Sequence, residues 1–382
     1  MNPPSYLFVL PWEPAHVGGV NGVVKGLARA MAERGVLRPL IVSNAWGAKA
    51  PQAAADHLVF DFSLTASTSV AALAKALALA PVRLWRTFRL LRSINARVVN
   101  FHYPGLAPLG VAVLKRIGAY GGKLVLSYHG TDVIPPRSRA ERALQALIHG
   151  TADHIVACSR SLAARMSAAF SLAPERISVI YNGVDAVLFD GRAEAPLATD
   201  LPTYYIASVS SFIPRKNLSL LVRAFALLAP RFPELHLCIA GGDGPERARI
   251  EREAREHGLA ERVHLLVDLD HAQVAALLAR ARACVQTSLA ESFPLAVLEA
   301  GASGTPLVVS DIPGHDELVR DGETGRMFAL GDPAACAQAV AAVLDDPAEA
   351  LRMAAALKQR IRSTLTWSDS IDQYTRLVLA AP

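Results

Sequence analysis

Short runs of β-branched and aromatic residues alternate with longer stretches of helical periodicity along the whole chain. The runs Tyr6–Leu10, Pro39–Ser43, Val98–Phe101, Leu124–Tyr128, His154–Ser159 and Ile177–Tyr181 predict a first series of strands. Tyr204–Val209, Leu235–Ala240, Val263–Val267, Ala283–Thr287 and Leu307–Ser310 predict a second. Between them, Val20–Arg34, Arg139–His149, Leu218–Ala229 and Ala272–Arg282 read as amphipathic helices. Strands buried on both faces are near-continuous apolar runs, so the pattern predicts parallel sheets covered by helices. "DGRAEAPLATDLPT", from Asp190, lacks periodicity and reads as a linker between the two series. The expected fold class is α/β: two doubly wound, Rossmann-like domains facing a central cleft, residues 1–190 and 203–365, with a closing segment 366–382. Ligands of such sheets bind outside the carboxyl ends of the strands.

Composition narrows the class. The chain has 382 residues, 52% hydrophobic and 19% charged, which excludes a disordered protein and allows two real cores. No apolar run reaches the length of a membrane span, because Lys75 and Pro81 interrupt the Ala-rich stretch from Val70. "YLFVLPW" near the start reads as a strand and not as a signal sequence. Cys158, Cys238, Cys284 and Cys336 form no Cys-x-x-Cys pair, which predicts a reducing cytoplasm with neither disulfide nor zinc. Residues 1–190 carry 20 Lys and Arg against 10 Asp and Glu, and the remainder 19 against 24. A basic first half points either to anionic partners, phospholipid headgroups or phosphorylated substrates, or only to surface solubility.

Four strand-to-helix junctions carry the residues that hold phosphate and sugar. In "PAHVGGVNGVVKG", Gly18, Gly19 and Gly22 either form a turn or bring backbone N–H groups to an anion at a helix start. In "SYHGTDV", His129 and Asp132 close the fourth strand, where a His is either a structural hydrogen bonder or an active-site group. In "SVSSFIPRKNLSLL", Arg215 and Lys216 immediately precede a helix start at Asn217, the end that ordinarily disfavours cations. Either an anion such as a diphosphate shares that spot, or the turn is simply solvated. In "IAGGDGPERARI", Asp243 or Gly244 is the expected cap and Pro245 the first helical residue.

"ESFPLAVLE" then sets Glu291 just before a helix that Pro294 opens and Ser303 closes, with Ser292 or Phe293 as cap. Glu299 falls two turns in, about 12 Å along the axis from Glu291. A carboxylate accepts two hydroxyl hydrogen bonds at once, which suits a sugar ring or a ribose diol.

In this order, the early glycine loop, "HGTD", "YNGVD", "PRKN", "GGDGPER", the Glu-x7-Glu of "ESFPLAVLE", "GTPLVVSDIPGHDELV" and a closing helix with Trp367 and Tyr374 resemble the retaining glycosyltransferases of family 4, of GT-B fold. The likeness covers nearly the whole chain. It implies an acceptor-binding first domain, a nucleotide-sugar-binding second domain, and a last segment crossing back to the first. It implies that Glu291 holds donor-sugar hydroxyls, Glu299 the ribose, and Arg215 and Lys216 the diphosphate. Gly18 and Gly19 add N–H donors, and Ser211, Gly242, Ser292, Phe293, Pro294 and Leu295 complete the donor site. His129, with Glu291 and Lys216, lies nearest the chemistry. Asn100, His102 and Tyr103 of "VVNFHYPGL", with Asp132 and Asn182, are the expected acceptor-facing set. Three departures stand out: Ser210–Ser211 where the family has Gly-Arg, Pro294 in place of a Gly, and His315 where small residues are usual.

Two other patterns have bland readings. Asp268 and Asp270 of "VDLDH" have metal-binding spacing, but Asp270 with Gln273 also forms a helix cap. The capping reading predicts no metal and no cofactor besides the nucleotide-sugar co-substrate. Arg83, Arg86, Arg89 and Arg92, with Trp85 and Phe88 among them, suit either an anionic membrane surface or a helix packing Leu84, Phe88 and Leu91 inward. The expected partners are a nucleotide-sugar donor (UDP favoured), a saccharide, lipid-linked or small-molecule acceptor, and an anionic membrane surface, without nucleic acid. The expected location is cytoplasmic, at the inner face of the membrane. A GDP-mannose-dependent mannosyltransferase or a sugar-nucleotide epimerase on the same fold are the alternatives. A NAD-dependent dehydrogenase is disfavoured because no G-x-G-x-x-G follows a strand.

Overall fold

The computed structural model describes residues 3–14, 18–45, 52–53, 57–65, 67–190 and 201–379. Most of the expected linker, 191–200, lies outside the described residues. The chain divides into two units, residues 1–182 with 367–382, and residues 183–366.

In the first unit the strands are β1 (Ser5–Leu10), β2 (Arg38–Asn44), β3 (Gln52–Ala53), β4 (Leu58–Phe60), β5 (Ala96–His102), β6 (Lys123–Tyr128), β7 (His154–Ala157) and β8 (Ile177–Val179). They order as β3-β4-β2-β1-β5-β6-β7-β8, parallel except for β3. Every residue of β1 is buried, as a strand covered on both faces requires. The helices are α1 (Gly19–Arg34), α2 (Val70–Ser93), α3 (Leu109–Arg116), α4 (Arg139–Thr151) and α5 (Arg160–Phe170). Ser138 and Ser159 cap α4 and α5 by accepting from Glu141 N and Leu162 N.

The second unit has β9 (Tyr205–Val209), β10 (His236–Gly241), β11 (Val263–Val267), β12 (Cys284–Gln286), β13 (Leu307–Ser310) and β14 (Arg326–Phe328), all parallel, in the order β11-β10-β9-β12-β13-β14. Its helices are α6 (Leu218–Leu228), α7 (Arg247–Glu256), α8 (His271–Arg280), α9 (Leu295–Ser303), α10 (Pro333–Asp345) and α11 (Pro347–Thr364). α10 and α11 each start Asp-Pro, an acceptor cap followed by a residue with no N–H to satisfy. α6 is apolar on most of its surface and joins β9, β10 and α10 in one core.

The last helix, α12 (Trp367–Leu379), belongs to the first unit and packs on α1. The Trp367 ring lies where any side chain at Gly26 would stand, so the crossing requires glycine there. Tyr374 Oη lies 2.9 Å from Ser127 Oγ, and Arg34 meets Asp372 at 2.6 Å.

All eleven expected strands form, and the structure adds β3, β4 and β14, three residues long at most. Such short segments carry too few positions for a period of two to show. Two helix starts move. α7 begins at Arg247, after Glu246, and not at Pro245; the Gly244 N–H closes on Asp243 Oδ1 at 2.8 Å instead. α9 begins at Leu295 with Pro294 itself as the cap, extended at φ −75° and ψ 121°. Glu299 is therefore only about one turn into its helix.

Candidate active site

Setting aside the antiparallel β3, each sheet reverses its strand order once, between β1 and β5 and between β9 and β12. At such a point neighbouring loops leave in opposite directions and open a crevice. The chemistry-bearing loops of this chain follow those four strands and β6.

In the second unit, the loop after β9 brings Arg215 and Lys216 to the loop after β12. A short 3-10 turn, Pro214–Lys216, ends in Asn217 at φ 50° and turns Lys216 across the switch point. Lys216 Nζ meets Glu291 Oε1 at 2.6 Å, and Arg215 Nη1 meets Glu291 Oε2 at 3.4 Å. Ser288 Oγ donates to Glu291 Oε1 at 2.8 Å. The anion shared by the cationic pair is thus Glu291 itself. Its side chain is only 8% exposed, against 40% for Arg215. Burial pushes the Glu291 carboxyl up, but Lys216, Arg215 and Ser288 outweigh it and hold it below the usual range.

Glu299 behaves oppositely. It is half-buried on α9, and its carboxylate has no hydrogen-bond or ion-pair partner among the described residues. Burial pushes it up to about 7, against the pull of Lys216. A carboxyl group aimed at no protein donor is left open to water or to a ligand hydroxyl.

Two glycines allow the loops to close. Gly314 sits at φ 100°, and a Cβ there would stand 2.5 Å from Glu291 O. Gly241 ends β10 directly against the Ser210 carbonyl, leaving no room for a side chain. Gly242 O accepts from Phe212 N at 3.2 Å, so it fixes the loop that carries Ser211. Phe293 and Pro294 are buried, while Ser292 and Leu295 are half-buried at the start of α9. His315 is fully buried with Nδ1 2.8 Å from Ser310 O, and Ser310 Oγ holds Ser288 O at 2.7 Å. His315 therefore props the loop bearing Ser288 and Glu291. Neither Ser288 nor Gly314 was singled out from sequence; the run "GTPLVVSDIPGHDELV" held the second, without a spacing that marks it.

In the first unit, Gly18 precedes α1, whose first turn has no acidic residue and no side-chain cap. Among the described residues no side chain caps its leading N–H groups, which can meet a ligand or water. Asn21, absent from the expected set, anchors this loop through Glu13 O and Pro14 O, at 3.0 and 3.1 Å, and takes Trp12 Nε1–H at 2.6 Å. After β6, Asp132 accepts from His129 N at 3.0 Å and Gly130 N at 2.6 Å. Burial raises Asp132 to about 6 despite those bonds and the Arg165 charge.

His129 is half-buried, with Nε2 2.9 Å from His102 Nδ1 and the rings stacked at 5.2 Å. Burial pushes His129 down to about 4 and His102 well below its ordinary value. His102 Nε2 is buried without a partner among the described residues. An orphaned acceptor is tolerated better than an orphaned donor, so His102 carries its proton on Nδ1 and donates to His129. His129 then keeps its own proton on Nδ1.

The acceptor-facing expectation needs correction. Asn100 is fully buried, donating to Tyr6 Oη at 3.0 Å and accepting from Ser127 Oγ at 2.9 Å. His102 is 1% exposed, behind His129, and Asp132 is committed to the turn. Asn182 is 8% exposed. Tyr103 alone of the five is half-buried, at φ 62° with its hydroxyl 2.7 Å from Thr131 Oγ1. Strand-end position made all five look reachable; β5 is buried on both faces from Val98 to His102, and the turn after β6 closes on Asp132, so only Tyr103 stays half-open.

Asp270 forms a full capping box with Gln273, accepting from Gln273 N at 2.8 Å while Gln273 Oε1 takes Asp270 N at 3.0 Å. Among the described residues, no three His, Cys, Asp or Glu side chains cluster as a metal site. All four cysteines are buried, and none is in a disulfide among the described residues.

Residues 17–188 match the family model described as Glycosyltransferase Family 4, and residues 192–362 the one described as Glycosyl transferases group 1. A glycogen synthase of Mycobacterium tuberculosis is 30% identical over 98% of this chain and 94% of its own length. D-inositol 3-phosphate glycosyltransferase 1 of Catenulispora acidiphila is 30% identical over 72% of this chain and 70% of its own. The Anabaena protein HepE, solved with UDP and glucose, superposes with a TM-score of 0.77 at 17% identity over 99% of this chain and 100% of that one. That likeness gives the two-domain GT-B fold. With both halves matched and a relative aligned end to end, the chain belongs to the group 1, family 4 glycosyltransferases and is a glycosyltransferase.

Proposed function

We propose that this chain moves a sugar from a UDP-sugar, UDP-N-acetylglucosamine or UDP-glucose, to an acceptor hydroxyl, retaining the anomeric configuration and needing no divalent metal. The observation that carries the reading is the carboxylate–cation cluster at the second switch point, with the partnerless Glu299 beside it. A donor diphosphate takes over Lys216 and Arg215, which frees the Glu291 carboxylate for the sugar hydroxyls. Glu299 accepts from the ribose diol. The acceptor oxygen attacks the anomeric carbon from the face the diphosphate leaves. The bond to the diphosphate breaks, the bond to the acceptor forms, and the acceptor proton passes to the departing phosphate oxygen. His129, donating through Nδ1, works at the sugar, and Gly18 and Gly19 offer N–H groups to the anion.

Two fixed cations and helix N–H groups supply the positive charge that a metal supplies elsewhere, and Asp270 is engaged in its cap. HepE's complex with UDP and glucose supports UDP over GDP. The relatives named for glycogen and inositol phosphate leave the acceptor class broad: a saccharide, a lipid-linked saccharide or a small polyol. A role in cell-envelope glycan or glycolipid synthesis, on the cytoplasmic face of a membrane, fits the basic first half.

The test is a thermal-shift panel of UDP- and GDP-sugars, followed by NMR of fresh product with and without EDTA. Retention, and turnover within a few-fold in EDTA, are expected. An inverted anomer, stabilisation by GDP-sugars alone, or activity lost to EDTA and restored by Mn²⁺ would overturn it. Turnover of donor with no acceptor would favour the epimerase reading.

A further inference from the structure

α2 is a 24-residue helix with three buried residues, Thr87, Leu90 and Leu91, all in its last two turns. Its first four turns, from Val70 to Leu84, hold no fully buried residue, yet apart from Pro81 are built from Ala, Leu and Val with Lys75 as the sole charge before Arg83. Val70 is 86% exposed, Leu77 78%, Val82 58% and Trp85 55%. At 100° per residue these four fall on one side of the helix, a continuous apolar stripe of the sort that soluble surfaces avoid. Arg89 and Arg92 continue the same side toward the carboxyl end, with Arg89 stacked 4.8 Å over Trp85. No Asp or Glu occurs from residue 62 to residue 131, a stretch that holds nine Lys and Arg, of which Lys115 and Lys123 pair with Asp153 from outside it. Beyond Arg92 the helix end borders a groove of about 420 Å³ that reaches Tyr120 and Gly122.

We infer that this face of α2 is a docking surface for an anionic lipid bilayer. The apolar stripe lies in the headgroup–acyl boundary, Trp85 sits at its edge, and Arg89 and Arg92 meet anionic headgroups. Charge complementarity selects this occupant: a water-soluble protein partner would have to answer an apolar stripe and the Arg89–Arg92 margin together, which an anionic membrane does by its composition. The helix lies on the membrane and does not cross it, since no helix among the described residues is long and apolar enough to span one. This deepens the proposed function by naming where a lipid-linked acceptor would be met.

The test is sedimentation of the full chain with phosphatidylcholine vesicles containing about 30% phosphatidylglycerol, and with pure phosphatidylcholine vesicles. Binding is expected to the first only, and to weaken as salt rises above about 0.1 M. Leu77→Glu/Trp85→Glu should reduce it at least tenfold, and Arg89→Glu/Arg92→Glu likewise, with melting temperature and UDP-induced stabilisation unchanged. Equal binding of both vesicle types, wild-type binding by both variants, or no vesicle binding by a chain that UDP stabilises would overturn the surface alone. A dimer that Leu77→Glu/Trp85→Glu dissociates, with no vesicle binding, would assign the stripe to self-association instead. Absent stabilisation by any nucleotide would count against the proposed function, whatever the vesicles show.

Discussion

The two switch points are built alike and electrically unlike. Both gather loops from the carboxyl ends of adjacent parallel strands. In the second unit the result is charged: two cations closed on Glu291, with Glu299 held near neutrality's edge at about 7. In the first it is neutral: a histidine pair that burial keeps unprotonated, over a turn tied by Asp132. The difference teaches where each kind of work is done. Under the proposed function, charge serves where a diphosphate would be held, and a fixed neutral donor where a sugar hydroxyl or ring oxygen would be met.

The comparison breaks most visibly at Lys216 and Glu291. Lys216→Ala and Glu291→Gln should each lower kcat by roughly a hundred- to a thousand-fold, as removal of a transition-state electrostatic group does. His129→Ala should fall in the same range with donor KM little changed. Steady-state kinetics on the three variants decide it; wild-type kcat in Lys216→Ala would remove the charged site from the chemistry.

Glu299→Ala comes next. Losing a charged hydrogen bond, worth about 1.5–3 kcal/mol, should raise donor KM roughly ten- to a hundred-fold and leave kcat within a few-fold. A normal donor KM would mean that Glu299 is a tolerated core carboxyl and no ribose ligand.

pH separates the units without mutation. Ionised Glu299 is the better ribose acceptor, so donor KM should fall as pH rises through about 7, by about tenfold from pH 6 to the plateau. Glu299→Gln should flatten that profile. Ionised Asp132 accepts more strongly from His129 N and Gly130 N than the protonated acid does, so kcat should drop as pH falls through about 6. Glu291 and His129 lie below this window and contribute no inflection to it. A single inflection shared by KM and kcat would contradict the division of labour.

The smallest effect belongs to Asp270. Asp270→Ala should cost about 1 kcal/mol of stability, the usual worth of an N-cap, seen as a modest fall in melting temperature with kcat unchanged. A large loss of kcat would restore the metal-binding reading of Asp268 and Asp270.

Much of this was legible in the chain. The β1, β6 and β9 runs are apolar at every position or nearly so, and burial on both faces leaves no other way to use such a run. Arg215–Lys216 and Glu299 were legible as chemistry because each breaks a local rule, cations at a helix start and an acid inside an apolar helix. Asp270 with Gln273 was legible because a capping box is a contact between residues three apart. Ser288 and Gly314 were not, since a serine and a glycine are ordinary in any loop.

Sequence by itself therefore determined the elements, their parallel sheets and the residue types at the loop tips, because these follow from periodicity and contacts near in the chain. Only the tertiary structure decided who faces whom. That Lys216 closes on Glu291, 75 residues away, that His102 lies behind His129 and not before an acceptor, and that Gly314 must be bare against the Glu291 carbonyl, all depend on strand order and on which side of a strand each residue points. Those are properties of distant segments brought together, and no local pattern encodes them.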